Sequence, residues 1–583
     1  MNINLPLLAP GRPRSLPAGP STHTFTVLAL VLVLLTSVSA GAQDVLLHHP
    51  DGSVAWIHGE LGTARLPTAP EEPDEAFYEE AYFALHRALQ DALVEHFGTT
   101  GEESFELASM TVRQTQRANI GNLELRQTMS GLPVVDSNFR ARIDMDSGQI
   151  QDIHGRVYPW KEEYSLRSIP QIPFRDALAR ALAELKAQGD VLEDPELVFV
   201  GGRKDLVLAY RVLVSLSISS APEFLSMNAS DGRVLGLDPT QLTAPPTGPG
   251  DTNYPWPNIN STQKFRSYDL IVALSNLLCS TTVHFPIPGF LMIPIGPCTP
   301  DDSVARAHEN AIQVYRFFRE TEGWKSYDGK GSDLVSVANK PMVNAYWSKT
   351  KKEMHYGEGD DNILYDLTLG FDVAAHEMAH GVTQERNGLV YNRQSGALNE
   401  AYSDIFAAAA EAWQDGAITA DTFLIGEDVA GPALGPALRY MHDPSLDGKS
   451  PDYFPDRLCP DPNCVPQGGG PINATCTGPN DYCAVHYNSG IANLAFYLLV
   501  NGGTHPQGKT SIVVPGIGME KARSIYFEAH GHLTEDASFL SLRLNTEQAA
   551  ADLYDAATVE AVGKSWSAVG VTKILIPPPG SWP

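Results

Sequence analysis

Cysteine is scarce in this chain of 583 residues: there are six, and none precedes Cys279. Positive charge is short as well, with 41 lysines and arginines against 69 aspartates and glutamates and a formal charge of -28. That balance argues against nucleic acid and anionic membrane as partners, because both are bound through basic patches. No apolar run reaches the ~20 residues of a spanning helix, so stable membrane anchoring is not expected. Internal repeats and low-complexity tracts are missing too. What remains, 43% hydrophobic and 19% charged residues, is globular sequence, long enough at ~150 residues per domain for three or four folding units.

The N-terminus reads as a targeting segment. Arg12, Arg14 and His23 precede an apolar run from Phe25 to Leu35, and Ala40-Gly41-Ala42 supplies the small residues of a signal-peptidase site. Cleavage after Ala42 and secretion are the expectation. An oxidising destination suits the six cysteines, whose proximity favours pairing Cys279 with Cys298, Cys459 with Cys464, and Cys476 with Cys483.

The pattern along the chain is α+β. Residues 43–245 mix a helical stretch from Pro73 to Phe97 with strand-like alternation around 123–127 and 139–143, a helix from Phe174 to Ala187, and strands near 197–200 and 206–216. No group of histidines, cysteines or carboxylates stands at ligand spacing there. A Pro/Gly stretch, Ala244 to Gly250, then breaks the chain and reads as a linker and processing site. Residues 246–371 read as irregular and strand-rich, and residues 372–583 as helical. Helices are predicted at 372–386, 397–413, 488–500, 519–529 and 539–554.

The helical part opens on His376-Glu377-Met378-Ala379-His380. Histidines four positions apart share a helix face and can reach one metal ion, while Glu377 between them is free to handle a metal-bound water. Catalytic zinc takes three protein ligands and keeps a position for water. Glu400, in Gly396-Ala397-Leu398-Asn399-Glu400-Ala401-Tyr402-Ser403-Asp404, is the natural third. Asp404, one turn on, is placed to accept the second ring proton of His376. Zinc lowers the pKa of its water to about 7, and Glu377 can act as the general base.

These segments resemble the thermolysin-like neutral metalloproteases over most of residues 250–583. The resemblance implies a two-lobed catalytic domain, a strand-rich lobe before a helical one, acting on protein and peptide substrates as a monomer. In Asp481-Tyr482-Cys483-Ala484-Val485-His486, it implies that His486 stabilises the oxyanion and Asp481 orients it, with Tyr391 as second donor. Asn344 and Ala345, in Asn344-Ala345-Tyr346-Trp347, fall where the family pairs substrate backbone with an edge strand, and Arg439 where it binds a substrate carbonyl. Leu364, Leu367, Val373, Ile425, Val429 and Leu438 fall on its main specificity pocket, implying cleavage on the amino side of hydrophobic residues.

Asp372, Glu411 and Glu427 occupy acidic calcium positions of the family, but Thr422 and Leu424 stand where thermolysin is acidic. Leu424 can offer only a carbonyl, with neighbouring Asp421 as a possible substitute ligand, so at most one calcium ion is expected beside the catalytic zinc. Residues 43–245 resemble the family's propeptide, through Gln127-Thr128-Met129-Ser130-Gly131-Leu132-Pro133-Val134 and Asn228 to Leu235. That implies an intramolecular chaperone and inhibitor removed autocatalytically near residues 238–252. The rival metzincin pattern fails, because Thr383 and Arg386 replace its glycine and third histidine. A secreted binding or inhibitory protein with a degenerate enzyme fold is the alternative, yet it should have lost Glu377 or a ligand.

Overall fold

A computed structural model describes residues 44–48, 54–66, 75–100, 104–114, 119–161, 164, 168–201, 206–217, 222–243, 264–267, 302–458, 476 and 480–573. The predicted signal peptide, the stretch from Ala244 to Gly250, and the pairs Cys279–Cys298 and Cys459–Cys464 lie outside these residues. Two compact units emerge: one holds residues up to Arg126 with Phe139–Pro159, the other Gln127–Asn138 and everything from Trp160 on.

In the first unit, β1 (Asp44–His48), β2 (Val54–His58), α1 (Glu75–Phe97), β3 (Ser104–Gln114), most of β4 (Asn119–Met129), the end of β5 (Leu132–Asp144) and β6 (Ile150–Gly155) follow in order. Leu85, Leu89 and Leu93 recur every four residues, so one stripe of α1 meets the inward residues Ile57, Phe139 and Ile153 of the sheet. Strands β2, β5 and β6 pair antiparallel, with His154 opposite both Trp56 and Arg140.

The second unit takes the start of β5 and continues with α2 (Phe174–Leu185) and the strands β7 (Gly189–Val191), β8 (Glu196–Gly201), β9 (Leu206–Leu216), β10 (Glu223–Asn228) and β11 (Val234–Pro239). Strand β12 (Gln241–Thr243) leaves this group for a second sheet, ordered β12-β15-β16-β14-β13. The other members are β13 (Lys264–Ser267), β14 (Leu334–Lys340), β15 (Ala345–Ser348) and β16 (Glu353–Gly357).

Helix α3 (Asp302–Glu322) corrects the expectation that residues 246–371 are strand-rich. Val304, Ala307, Ala311, Val314, Phe317 and Phe318 are buried along it at spacings of three, four and one, a helical stripe. The remaining helices are α4 (Phe371–Arg386), α5 (Arg393–Asp415), α6 (Asp481–Asn501), α7 (Met519–His530), α8 (Phe539–Leu553) and α9 (Ala556–Ala568), with a short ribbon of β17 (Leu424–Ile425) and β18 (Arg439–Tyr440) between α5 and α6. The last helix was not foreseen; Asp555 caps it by accepting from the Thr558 amide at 2.8 Å. Strand-bearing and helical parts share one large core, a two-lobed α+β architecture.

Phe318 sits in that core with its ring 5.0–6.4 Å from those of Phe317, Phe406 and Phe527. Phe318→Ala should cost about 3–5 kcal/mol, read as a lowered urea midpoint of the unit that contains it. A loss below about 1 kcal/mol would mean that the cluster does not hold α3 in place.

Candidate active site

Helix α4 is buried all round from Phe371 to Thr383, so its two histidines lie in the interior rather than on an exposed face. Asn387 and Gly388 turn the chain: Gly388 has φ +66°, a left-handed position that suits glycine. The Asn387 side-chain amide donates to the His530 carbonyl at 2.9 Å. Helix α5 then returns against α4, its run Ala407–Ala410 buried and small enough for close packing.

His376 Nε2 and His380 Nε2 are 3.1 Å apart, and each lies 3.5 Å from a carboxylate oxygen of Glu400. Bonds of about 2.0–2.1 Å around a tetrahedral ion place neighbouring ligand atoms about 3.3 Å apart. The three groups therefore fit zinc. Their other nitrogens are held: His376 Nδ1 lies 2.9 Å from Asp404 Oδ1, and His380 Nδ1 lies 2.7 Å from Asn399 Oδ1 and 3.1 Å from Ser403 Oγ. This fixes both rings with Nε2 toward the common point.

Burial opposes charge on His376, but Asp404 and Glu400 raise its pKa to about 10. On His380 burial wins and lowers the value to about 3. Glu400, although buried, is pulled below the usual carboxylate range by His486, His380 and His376.

Glu377 is fully buried, and neither of its oxygens makes a hydrogen bond. Burial raises its pKa to about 8, with His376 pulling it down and Glu400 pushing it up. Tyr391 donates to Glu400 Oε1, and its hydroxyl lies 3.0 Å from His486 Nε2. His486 Nδ1 bonds Asp481 Oδ1, while the His486 backbone amide donates to Asp481 Oδ2 at 3.0 Å. Burial disfavours the His486 cation, but Asp481 and Glu400 raise its pKa to about 9. The backbone carrying this pair is unusual: Asp481, Tyr482, Cys483 and Ala484 have φ of 53°, 44°, 74° and 63°. Left-handed conformation costs about 1–2 kcal/mol per non-glycine residue.

Asp404 also accepts from Arg439 Nε at 2.8 Å, from a second Arg439 nitrogen at 2.5 Å, and from Asn493 Nδ2 at 2.8 Å. Arg439 Nη1 is left without a hydrogen bond. Asn399, Ser403 and Asn493 had not been singled out from the sequence. Asn399 stands beside Glu400, and Asn493 lies two helical turns after His486 on the same helix, which is the signal that was available.

Asn344 immediately precedes β15, which Ala345 opens, and Asn344 Oδ1 accepts from the Ala345 amide at 3.0 Å. Leu364, Leu367, Val373, Ile425 and Val429 are buried in the main core, with Leu438 packed against it. Gly426 (φ +73°) lets this wall close, since a Cβ there would lie 2.4 Å from Leu438 Cδ1. The Gly426 amide donates to Asp372 Oδ2 at 2.5 Å. Asp372, Glu411 and Glu427 form a second acidic group, with Asp372 Oδ1, Glu411 Oε2 and Glu427 Oε2 buried and not hydrogen-bonded. Burial raises all three, to about 6, 8 and 9; after burial, Asp428 adds to the rise of Asp372, Asp372 to that of Glu411, and Asp372 and Glu411 to that of Glu427. Leu424 lies in β17 opposite Tyr440, and Thr422 Oγ1 is engaged by the Thr419 amide.

Two histidines and a glutamate converging beside an unbonded buried carboxylate define a zinc-type hydrolase. The thermolysin metallopeptidase catalytic-domain model matches residues 298–384, and the alpha-helical-domain model matches residues 387–571. Bacillolysin of Brevibacillus brevis is 30% identical over 560 residues, covering 92% of this chain and 96% of the relative. Thermolysin of a Bacillus species, strain EA1, is 29% identical over 510 residues, covering 81% and 87%. The chain belongs to the thermolysin metallopeptidase family and is a zinc metalloendopeptidase acting on protein substrates.

Asp404→Asn should weaken zinc affinity about 10- to 100-fold, measured by competition with a chromophoric chelator. Unchanged affinity would remove Asp404 from the support of His376.

Proposed function

We propose that this metalloendopeptidase is secreted as a self-inhibited precursor and cleaves on the amino side of hydrophobic residues. In this reading residues 1–42 are the signal peptide, 43–245 the propeptide, and 246–371 and 372–583 the two lobes of the mature enzyme. The observation that carries it is β12. Gln241, Leu242 and Thr243 pair antiparallel with Ser348, Trp347 and Tyr346 of β15, the strand on which substrate backbone is expected. A sheet edge accepts one partner at a time, so substrate and β12 exclude each other.

The pairing is supported by the Lys349 amide, which donates to the Thr240 carbonyl at 2.8 Å. Lys349 Nζ also bonds Asp238 at 3.2 Å. Cutting the Pro/Gly stretch after Thr243 would free the edge. Secretion is supported by the disulfide Cys476–Cys483 and by the targeting pattern. Among the described residues, no helix is long and apolar enough to cross a membrane.

His376, His380 and Glu400 would hold zinc, which supplies Lewis-acid polarisation and a water of lowered pKa. Glu377 takes the water's proton and passes it to the departing amine. Tyr391 and His486 donate to the carbonyl oxygen as it gains charge, worth a few kcal/mol per donor. Asp481 orients His486. Asn344 and Ala345 hold the substrate backbone, Arg439 Nη1 binds a carbonyl, and Leu364, Leu367, Val373, Ile425, Val429 and Leu438 select the hydrophobic residue. A single calcium ion at Asp372, Glu411 and Glu427, with the Leu424 carbonyl, would relieve their repulsion.

Casein hydrolysis by the processed protein should stop on adding 1,10-phenanthroline, and Glu377→Gln should retain zinc yet remain unprocessed and inactive. Activity that survives metal removal would overturn the site. Normal maturation of Glu377→Gln expressed alone would overturn autoprocessing.

For calcium, the sign follows from raised carboxylate pKa values. Without a cation, the stability contributed by Glu411 and Glu427 is fully present below their unfolded pKa of about 4.5 and is lost as pH rises toward 8–9. Metal-stripped, zinc-reloaded protein should therefore melt lower at pH 8 than at pH 5, and added Ca²⁺ should raise the melting temperature more at pH 8. Equal effects at both pH values would exclude a cation at these carboxylates.

A further inference from the structure

A disulfide-stapled left-handed turn stands immediately before His486. Four consecutive non-glycine residues, Asp481 to Ala484, hold positive φ, and Cys483 within them is bonded to Cys476, the two Cα atoms 5.1 Å apart. Both cysteines are buried. L-residues do not keep this hand unaided, because the Cβ atom crowds the following carbonyl.

Besides the disulfide, hydrogen bonds on both sides support the turn. Asn480 Oδ1 accepts from the Cys483 amide at 3.2 Å, and the Tyr482 hydroxyl donates to buried Glu223 at 3.0 Å. Glu223 lies upstream of Thr243, in the part that the proposed maturation removes. Tyr482 then loses that bond and keeps its apolar packing, edge-on against Tyr391 with ring centroids 5.6 Å apart and against the main core. The turn matters to the chemistry because Asp481 holds both the ring and the backbone amide of His486. Relaxation to the right-handed form would carry the Asp481 carboxylate off that ring.

We propose that the Cys476–Cys483 disulfide is a positioning element for catalysis: it keeps residues 481–484 left-handed once the propeptide has left, and so aims His486 at the substrate carbonyl beside Tyr391. This rests on the reading of His486 as an oxyanion donor. Its effect falls on the transition state rather than on zinc or ground-state binding, neither of which passes through the turn.

The test uses processed enzyme. Cys476→Ala should lower kcat about 10- to 100-fold, less than the roughly 100- to 1000-fold of outright loss of an oxyanion donor, because His486 is misaimed and not removed. KM should stay within about twofold, with bound zinc unchanged. Adding Ala484→Gly, which removes a Cβ from a left-handed position, should then restore kcat about threefold or more. Unchanged kcat in Cys476→Ala, loss of zinc in parallel with activity, or a further fall on adding the glycine would each overturn the proposal, since a bond that merely stabilises the fold predicts no rescue by a flexible residue.

If Cys476→Ala is not secreted, wild type reduced with a phosphine after folding takes its place, against the Cys476→Ala/Cys483→Ala protein refolded in vitro as control. The same kcat loss in wild type alone supports the staple, and no loss on verified reduction overturns it. His486→Ala with the disulfide intact separates the two claims: full activity there would remove the role of His486 itself.

Discussion

Asp404 is a carboxylate with no exposure to solvent, and a buried charge of this kind persists only when its lone pairs are met by donors. Arg439 meets two of them, Asn493 another, and the His376 ring a fourth. Through this one group α4, α5, β18 and α6 are tied to a common point, and its pKa is held to about 2, with burial raising it and Arg439 and His376 outweighing that. The partners are mutually dependent: Arg439 is charged and buried, and would be stranded without Asp404. The site can thus present Glu377 without a hydrogen bond and Arg439 with one spare nitrogen, because the neighbouring charges are already neutralised.

The second constraint is the edge of β15. A strand edge is a row of unsatisfied amides and carbonyls, and that is what a peptidase needs in order to bind an extended chain. The same property makes the edge available to the enzyme's own chain. Strand β12 satisfies it with three residues directly upstream of the Pro/Gly-rich sequence. In the function proposed above, one surface would serve both substrate binding and its suppression in the precursor.

Much of the helical lobe was legible because its periodicity is plain. The helices foreseen at 372–386 and 519–529 appear at Phe371–Arg386 and Met519–His530. Helix α3 was not foreseen: it follows a long stretch of sequence without a clear period, and its stripe of Val304, Ala307, Ala311 and Val314 is diluted by Arg306, His308 and Glu309 until it is seen against the core. The start of α6 was set at Asn488, whereas the helical segment begins at Asp481 through a turn of the opposite hand, which no propensity anticipates. Of the three cysteine pairs favoured by proximity, Cys476–Cys483 forms, and the other two lie outside the described residues.

The sequence by itself picked out the candidate metal group of His376, His380 and Glu400, since two histidines four apart on a helix and a glutamate at the head of the next are local facts that periodicity makes visible. It also determined the α+β class and the sign of the surface charge. Only the tertiary structure decided which side chains hold those ligands, where Arg439 spends its donors, and that β12 lies on β15. Asn399, Ser403 and Asn493 owe their places to packing between elements distant in the chain, and Thr243 to strand pairing across a comparable distance. Such contacts depend on burial and register, which no local pattern encodes.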